Sequence, residues 1–527
     1  MDADVVVIGS GFGGSVAAMR LTEKGYRVLV VEQGRRYRPE DFAKTSWALG
    51  KALWAPRLGL RGVMGVRVLK NLVVFHGAGV GGGSLVYANV HLEPLDAFYR
   101  DPQWAHLADW REELAPHYRE ARRMLGSAES PRTFASDHAL HAVLEDMGQG
   151  DTFKRHTVGV YFGEPDAPAE DPYFGGEGPT RRGCTFCGRC MLGCRVGAKN
   201  TLDKNYLYLA ERGGAQVLSE SRVVDVRPLD GGSGATGYAI KVRSTGRGPF
   251  GRSQVLRAKK VVFSAGVLGT VELLARCKGR GSLPRISDRL GDRVRTNSES
   301  IQGVNVYGED ISEGVAISSG GFTQDGTHVE IFRYGQDGDA LAWLSTVHTR
   351  GGRLPRQAYW FAAMLRHPLR TLRQLWPVGW SKSLAGVLAM QANDTSMKLE
   401  LRRSWWWPLG QRLVGAWGER NPPPTYLPSA HEVTARLAEK MGGIPGSVLP
   451  EVLFDTTTTA HILGGCSMGA SAAEGVIDRD QRVFGYEGLY VADGSAISAN
   501  LGVNPSLTIT AMTERAMAQV PAAGRAA

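Results

Sequence analysis

The stretch that decides the fold is "DVVVIGSGFGGSVAAMRLTEKGYRVLVVEQG", Asp4 to Gly34. The apolar run that ends at Gly9 reads as a strand buried on both faces, the segment after it as a helix, and "YRVLVVEQG" as a second strand. Between first strand and helix, Gly9-Ser10-Gly11-Phe12-Gly13-Gly14 matches G-x-G-x-x-G in the context the motif requires. Gly9 permits the tight turn, Gly11 admits a pyrophosphate to the backbone, and Gly13 and Gly14 bring the helix close to the strand. Glu32, at the end of the second strand, is placed to accept hydrogen bonds from an adenosine ribose. The unit predicts a dinucleotide site. NAD and FAD share this turn, so the stretch by itself leaves the cofactor open.

Outward from it, the 527 residues exceed what one core needs. Strand patterns return in "AQVLSESRVVDVRPL" and "KKVVFSAGVLGTVELLAR", far from the first strand, so the nucleotide domain is expected to be assembled from separate segments with a second domain inserted. The net charge of +10 is spread along the chain without a dominant basic tract or a recognition motif, which argues against nucleic acid. "MDADVVVIGS" enters a strand at once, leaving no room for a secretory or twin-arginine signal, and no apolar run reaches the length of a spanning helix. A cytoplasmic protein, with peripheral membrane contact as a further option, is the expectation.

A second glycine run, "GAGVGGGSLVYAN" (Gly77 to Asn89), "AGVLGTVELL" (Ala265 to Leu274) and the C-terminal "HILGGCSMG…GLYVADGSAISANLGVNPSLTITAMTER" resemble the signatures of the glucose-methanol-choline (GMC) oxidoreductases, nearest to their cholesterol-oxidase-like branch. The resemblance implies an α/β protein: a Rossmann-like FAD-binding domain from residues 1–95, 195–300 and 455–527, and an α+β substrate domain with a large antiparallel sheet from 96–194 and 301–454. It selects FAD. Beside Gly9, Gly11, Phe12, Gly13, Gly14 and Glu32 at the ADP half, it implies Gly79, Gly81, Gly82, Gly83 and Ser84 at the isoalloxazine, Asp493 and Gly494 near the phosphate and ribityl chain, and Asn504 and Pro505 at the ring edge. Tyr87 departs from the Asn or His usual after "GGGSLV". His461 aligns with the family's active-site histidine and Asn504 with its partner. Flavin-dependent alcohol oxidation removes a hydride from the carbinol carbon and a proton from the hydroxyl; an imidazole can take that proton and an amide can orient the hydroxyl. The cholesterol oxidases add a substrate-domain glutamate, for which the sequence does not choose among Glu330, Glu400 and others.

"GCTFCGRCMLGC" (Gly183 to Cys194) lies outside that family pattern. Four of the six cysteines, Cys184, Cys187, Cys190 and Cys194, fall in it with ferredoxin spacing, C-x2-C-x2-C-x3-C. A [4Fe-4S] or [3Fe-4S] cluster is the favoured reading; zinc and unliganded thiols remain open, and Cys466 is a candidate remote ligand. A cluster beside a flavin suits an electron-acceptor protein or quinone and makes a dehydrogenase the first expectation. An oxidase using O2 and a redox-neutral isomerase are the alternatives.

The expected substrate is an apolar alcohol, sterol-like or long-chain. Residues 360–407, "WFAAMLRHPLRTLRQLWPVGWSKSLAGVLAM" followed by "RRSWWWPLG", mix Trp, Leu and Arg. The favoured reading packs Trp and Leu inward with Arg snorkelling outward; an interfacial membrane contact is the rival.

Overall fold

The computed structural model describes residues 1–245, 251–404, 407–418 and 421–524. The predicted unit forms as read: strand Ala3–Ile8, helix Phe12–Glu23, strand Val28–Val31. The strand order of the first sheet is Gln216–Leu218, Val28–Val31, Ala3–Ile8, Ser253–Phe263, Tyr238–Ser244, Ser221–Pro228, and Leu489–Val491 also pairs with Ser253–Phe263. The pairs from Gln216–Leu218 through Val28–Val31 and Ala3–Ile8 to Ser253–Phe263, and from there to Leu489–Val491, are parallel. Their carboxyl ends are level, Ile8 opposite Phe263 and Phe263 opposite Val491. The loops after all three strands therefore open into one crevice, where an open α/β sheet binds its ligand.

The helix Trp110–Met124, expected in the substrate domain, packs instead against the C-terminal helix Ser506–Ala518 in the core of the nucleotide domain. Its apolar face, Trp110, Leu114, Tyr118 and Ala121, is buried there, and the Tyr118 hydroxyl meets Thr508 Oγ1 at 3.0 Å. Hydrophobic periodicity marks which face of a helix is buried, and says nothing of which domain buries it.

The second sheet orders Ser345–Val347, Ile444–Val448, Ser300–Asn305, Leu384–Met390, His328–Phe332, Ile317–Phe322 and Lys154–Arg155, every pair antiparallel. Alternation along His328–Phe332 assigns its two faces. Val329 and Ile331 join a core with Leu140, Val143, Val433 and Leu437 from helices Ala135–Asp146 and Pro428–Met441. His328 and Glu330 point the other way, toward the flavin domain, where Glu330 meets Asn504. A buried ion pair, Arg333 to Asp137 at 3.3 Å, ties this sheet to helix Ala135–Asp146.

Of the region expected to pack its apolar side chains inward, Trp380, Leu384, Leu388 and Met390 do so, and the two helices before them do the reverse. In helices Arg356–Arg366 and Pro368–Leu375 the buried side chains are Arg356, Thr371 and Gln374, while Phe361, Leu365, Leu369, Leu372 and Leu375 face solvent. Hydrogen bonds to backbone carbonyls mount these helices: Gln374 Nε2 donates to Thr346 O in the edge strand and Pro445 O in its neighbour at 3.1 Å each, and Arg356 Nη1 to Thr425 O at 2.7 Å. Polar anchors on the inner side reverse the ordinary amphipathic sense. Of "RRSWWWPLG", Trp405 and Trp406 lie outside the described residues.

Candidate active site

The crevice is built by close backbone approach. At Gly9 (φ +100°) a Cβ would stand 2.3 Å from Ser264 O, at Gly13 1.7 Å from Ala492 O, and at Gly14 2.0 Å from Gly9 O. Only glycine fits these positions. A Cβ on Gly11 would meet nothing within 4 Å, so this backbone faces open space, as a pyrophosphate site requires. The second glycine loop folds against the first: a Cβ at Gly82 (φ +54°) would stand 2.6 Å from Gly11 Cα.

Ser10, which the sequence reading passed over as a variable motif position, laces the segments together. Its hydroxyl donates to Glu32 Oε2 at 2.8 Å and accepts from Gly81 N at 3.1 Å. Glu32 also accepts from Ser10 N and Gly34 N at 3.1 and 2.8 Å; burial pushes its carboxyl pKa up, against the pull of these donors. Ser84 is buried, its hydroxyl donating to Gly81 O at 2.7 Å and accepting from Leu202 N at 3.1 Å, which fixes the turn at Gly79, Gly81, Gly82 and Gly83. Asp493 reaches the crevice because it follows strand Leu489–Val491. It accepts from Thr270 Oγ1 at 2.6 Å and Ser495 N at 2.8 Å, with Gly494 beside it and its carboxyl pKa raised by burial. Paired glycine loops, an open Gly11 and buried acids at both ends form a cradle that fits FAD.

On the far side of the crevice, Asn504 precedes Pro505, the N-cap of helix Ser506–Ala518. Its Nδ2 donates to Glu330 Oε2 at 3.2 Å. Of the two glutamates named from the sequence, Glu330 is fully buried and meets Asn504, whereas Glu400 pairs with Arg402 on the hairpin Met397–Ser404/Trp407–Trp417. His156 Nε2 lies 3.1 Å and His328 Nδ1 4.0 Å from Glu330 Oε1. Burial by itself would raise the Glu330 carboxyl; His156, the His328 charge and Asn504 together hold it below the usual carboxylate value. Burial pushes the His328 imidazole down to about 4. Asn504 Oδ1 is buried without a hydrogen-bond partner, an acceptor available to a hydroxyl, whereas Glu330 Oε1 faces His156.

His461 follows strand Thr457–Thr459, and its Nδ1 is bound to the buried carboxylate of Glu299, which also accepts from Ala460 N at 2.9 Å. Burial would lower the imidazole pKa; the charge and hydrogen bond of Glu299, with the nearby charge of Glu330, hold it above the ordinary value. Glu299 carries no motif signal, since a carboxylate 162 residues away in sequence is found only by folding. The pair fixes the tautomer: Nδ1–H faces Glu299, and Nε2 is the nitrogen able to accept a proton.

The four cysteines line one cavity with Val160, Val196 and Lys199, and Cys466 is not among the lining residues, being buried beside Asp493 and Ser495 instead. No three of the sulfurs lie mutually within 4.8 Å, wider than the roughly 3.8 Å between thiolates on one tetrahedral zinc with ~2.3 Å bonds. Lys199 is buried here with its ammonium donating to Leu85 O, Tyr87 O and Cys190 O at 3.1, 2.7 and 2.9 Å, and it sits 4.7 Å from the Tyr87 ring centroid. It therefore joins the cysteine loop to the second glycine loop. Burial pushes the Lys199 pKa down to about 7 and the Cys190 thiol up to about 11.

Glycine cradle, parallel-sheet crevice and buried His/Asn/Glu constellation define a flavoprotein oxidoreductase with a separate substrate sheet. The chain belongs to the GMC oxidoreductase family. Models of that family match residues 180–294 and 429–513, and a model of an FAD binding domain matches residues 4–61. A cholesterol oxidase of Acinetobacter baumannii is 45% identical over 529 residues, covering 99% of this chain and 95% of that protein. A cholesterol oxidase of Mycobacterium tuberculosis (strain ATCC 25618 / H37Rv) is 45% identical over 538 residues, covering 99% and 92%. A long-chain-alcohol oxidase of Arabidopsis thaliana is 22% identical, covering 96% of this chain and 65% of that one. In fold, the chain is similar to pyridoxine 4-oxidase from Mesorbium loti, with TM-score 0.60, 15% identity and 98% of each chain covered.

Proposed function

We propose that this GMC oxidoreductase oxidises the hydroxyl of an apolar, sterol-like alcohol. The observation that carries it is the convergence of His461, Asn504 and Glu330 in a buried site, with relatives named as cholesterol oxidases at 45% identity over nearly the full chain. FAD, when bound, accepts the carbinol hydride. The chain's own groups handle the hydroxyl. Asn504, held by Glu330, orients it; His461 Nε2 takes its proton; and Glu299 steadies the imidazolium that results. The full burial of Glu330 favours a substrate that arrives without a hydration shell.

Anaerobic mixing of the FAD-loaded protein with cholesterol should bleach the flavin, and His461→Gln should keep its flavin and bleach far more slowly. A flavin reduced by small polar alcohols and by no sterol or fatty alcohol would overturn the substrate class. Reduction at an unchanged rate in His461→Gln would overturn the site.

We further infer that Cys184, Cys187, Cys190 and Cys194 hold an iron-sulfur cluster that supplies one-electron chemistry beside the flavin loop. Their ferredoxin-type spacing in the sequence supports this reading, as does a buried ammonium whose described acceptors are carbonyls and which a nearby anion would offset. A cluster dianion meets that need; neutral thiols do not. This reading directs electrons to a protein or quinone acceptor. Iron and acid-labile sulfide in anaerobically purified protein test it, and a flavin-only spectrum without iron would end it.

A further inference from the structure

Helices Arg356–Arg366 and Pro368–Leu375 carry their apolar side chains on the outside of the molecule. Phe361 is 60% exposed, Leu365 83%, Leu369 80%, Leu372 66% and Trp376 58%. Phe361 and Leu365 share one face of the first helix and Leu369 and Leu372 one face of the second, with Trp376 directly after its end. Leu354, Val378 and Trp343 extend the exposed apolar surface on neighbouring loops. Single exposed apolar residues are common; a stripe of this size marks a surface meant to be covered.

Along the segment itself the charge is of one sign, the exposed Asp455 beside Gln357 being an acid that meets it from another part of the chain. No Asp or Glu lies between Asp339 and Asp394, whereas Arg350, Arg353, Arg366 and Arg370 are all exposed there. The stripe is also rigidly mounted. Gln374 and Arg356 hold the helices to backbone carbonyls, Trp360 Nε1 donates to Thr346 Oγ1 at 2.8 Å, and Arg373 stacks 4.0 Å from the Tyr307 ring centroid. Arg356 Nη1 also donates to Glu451 O at 3.0 Å in helix Leu449–Phe454, and the chain continues from that helix through strand Thr457–Thr459 to His461. The outward-facing helices are thus anchored on the element that leads to the catalytic histidine.

We propose that this face docks on a bilayer carrying anionic lipid. Leucine and phenylalanine enter the acyl boundary, Trp376 sits at headgroup depth, and the arginines pair with lipid phosphates. An acidic protein partner would satisfy the arginines and leave the leucines in water; a second copy of this chain would meet like charge with like charge. A bilayer answers both features. The inference stands on this surface alone, and its purpose, collecting an apolar alcohol from its membrane, rests on the reading of the substrate given above.

The test is sedimentation of the FAD-loaded protein with phosphatidylcholine vesicles with and without 30%, a composition on the order of an anionic leaflet, phosphatidylglycerol. Wild type is expected in the pellet with the anionic vesicles and largely released from them at high salt. L365Q/L369Q/L372Q should lose binding by at least ~10-fold, since each leucine withdrawn from water contributes roughly that factor; R366Q/R370Q should lose binding to the anionic vesicles selectively. These side chains are exposed, so thermal midpoints should not move. Both variants should oxidise detergent-dispersed cholesterol like wild type, which separates failure of docking from failure of the substrate reading. Wild type remaining in the supernatant, leucine variants that pellet equally well, or a vesicle-free dimer abolished by the leucine substitutions would each overturn the proposal.

Discussion

Asn504 Nδ2 and Glu330 Oε2 are hydrogen-bonded at 3.2 Å, 174 residues apart in sequence, and that bond joins the flavin domain to the centre of the substrate sheet. It brings the amide proposed to orient the hydroxyl and the carboxylate that holds the amide into one buried site.

Glu330→Gln keeps the shape of the side chain and removes its charge. Flavin reduction by cholesterol should slow by about 10-fold, since a hydrogen bond to a charged acceptor is worth roughly 1–1.5 kcal/mol more than one to a neutral acceptor, with flavin content unchanged. Stopped-flow reduction of the loaded variant measures both.

Glu299 controls the base. Because its carboxylate holds His461 above the ordinary imidazole value, His461 stays protonated to higher pH, and the proton-accepting form grows as pH rises through that raised pKa. The pH profile of the reductive half-reaction should climb through a pKa above ~6.5 in wild type. In Glu299→Gln this pKa should fall, shifting the limb to lower pH, while the plateau rate declines because the imidazolium loses its partner.

Gly82→Ala tests the cradle. The added Cβ meets Gly11 Cα at 2.6 Å, on a backbone with φ +54° that disfavours side chains. The purified variant should hold at least ~10-fold less flavin, since a cost of roughly 1.4 kcal/mol is one decade in affinity; the ratio of flavin to protein absorbance reads it.

Lys199→Met addresses the cysteine cavity. If the four thiolates hold iron, removing the buried ammonium beside Cys190 should leave iron content near wild type and lower the midpoint potential of the centre, because a cation stabilises the more negative, reduced state. Potentiometric titration followed by EPR measures the shift.

Asp137 holds the substrate domain. It accepts from Ser318, Ser319 and the Phe134 amide and pairs with Arg333, both charges being fully buried. Asp137→Ala leaves Arg333 uncompensated and should cost about 3–5 kcal/mol, seen as a lowered denaturant midpoint.

The cofactor half of this protein was legible because its signals are local. A glycine that must turn, one that must let a backbone approach and an acid at a strand end lie within a single βαβ unit, and the chain folds that unit in place. The motif around His461 and Asn504 was readable for a related reason: its residues are adjacent in the chain even where their partners are not. Glu330, Glu299 and Lys199 gave no such signal. Each is one acid or lysine among many, distinguished only by the burial and the partner that tertiary structure confers.

The outward-facing helices make the same point from the other side. The sequence determined that they are amphipathic, rich in leucine and arginine and without acids. Periodicity is unchanged when a helix is rotated about its own axis, so pattern alone could not say which face looks inward. That was decided by Gln374 and Arg356 finding carbonyl acceptors at the edge of the substrate sheet, which turned the leucines out.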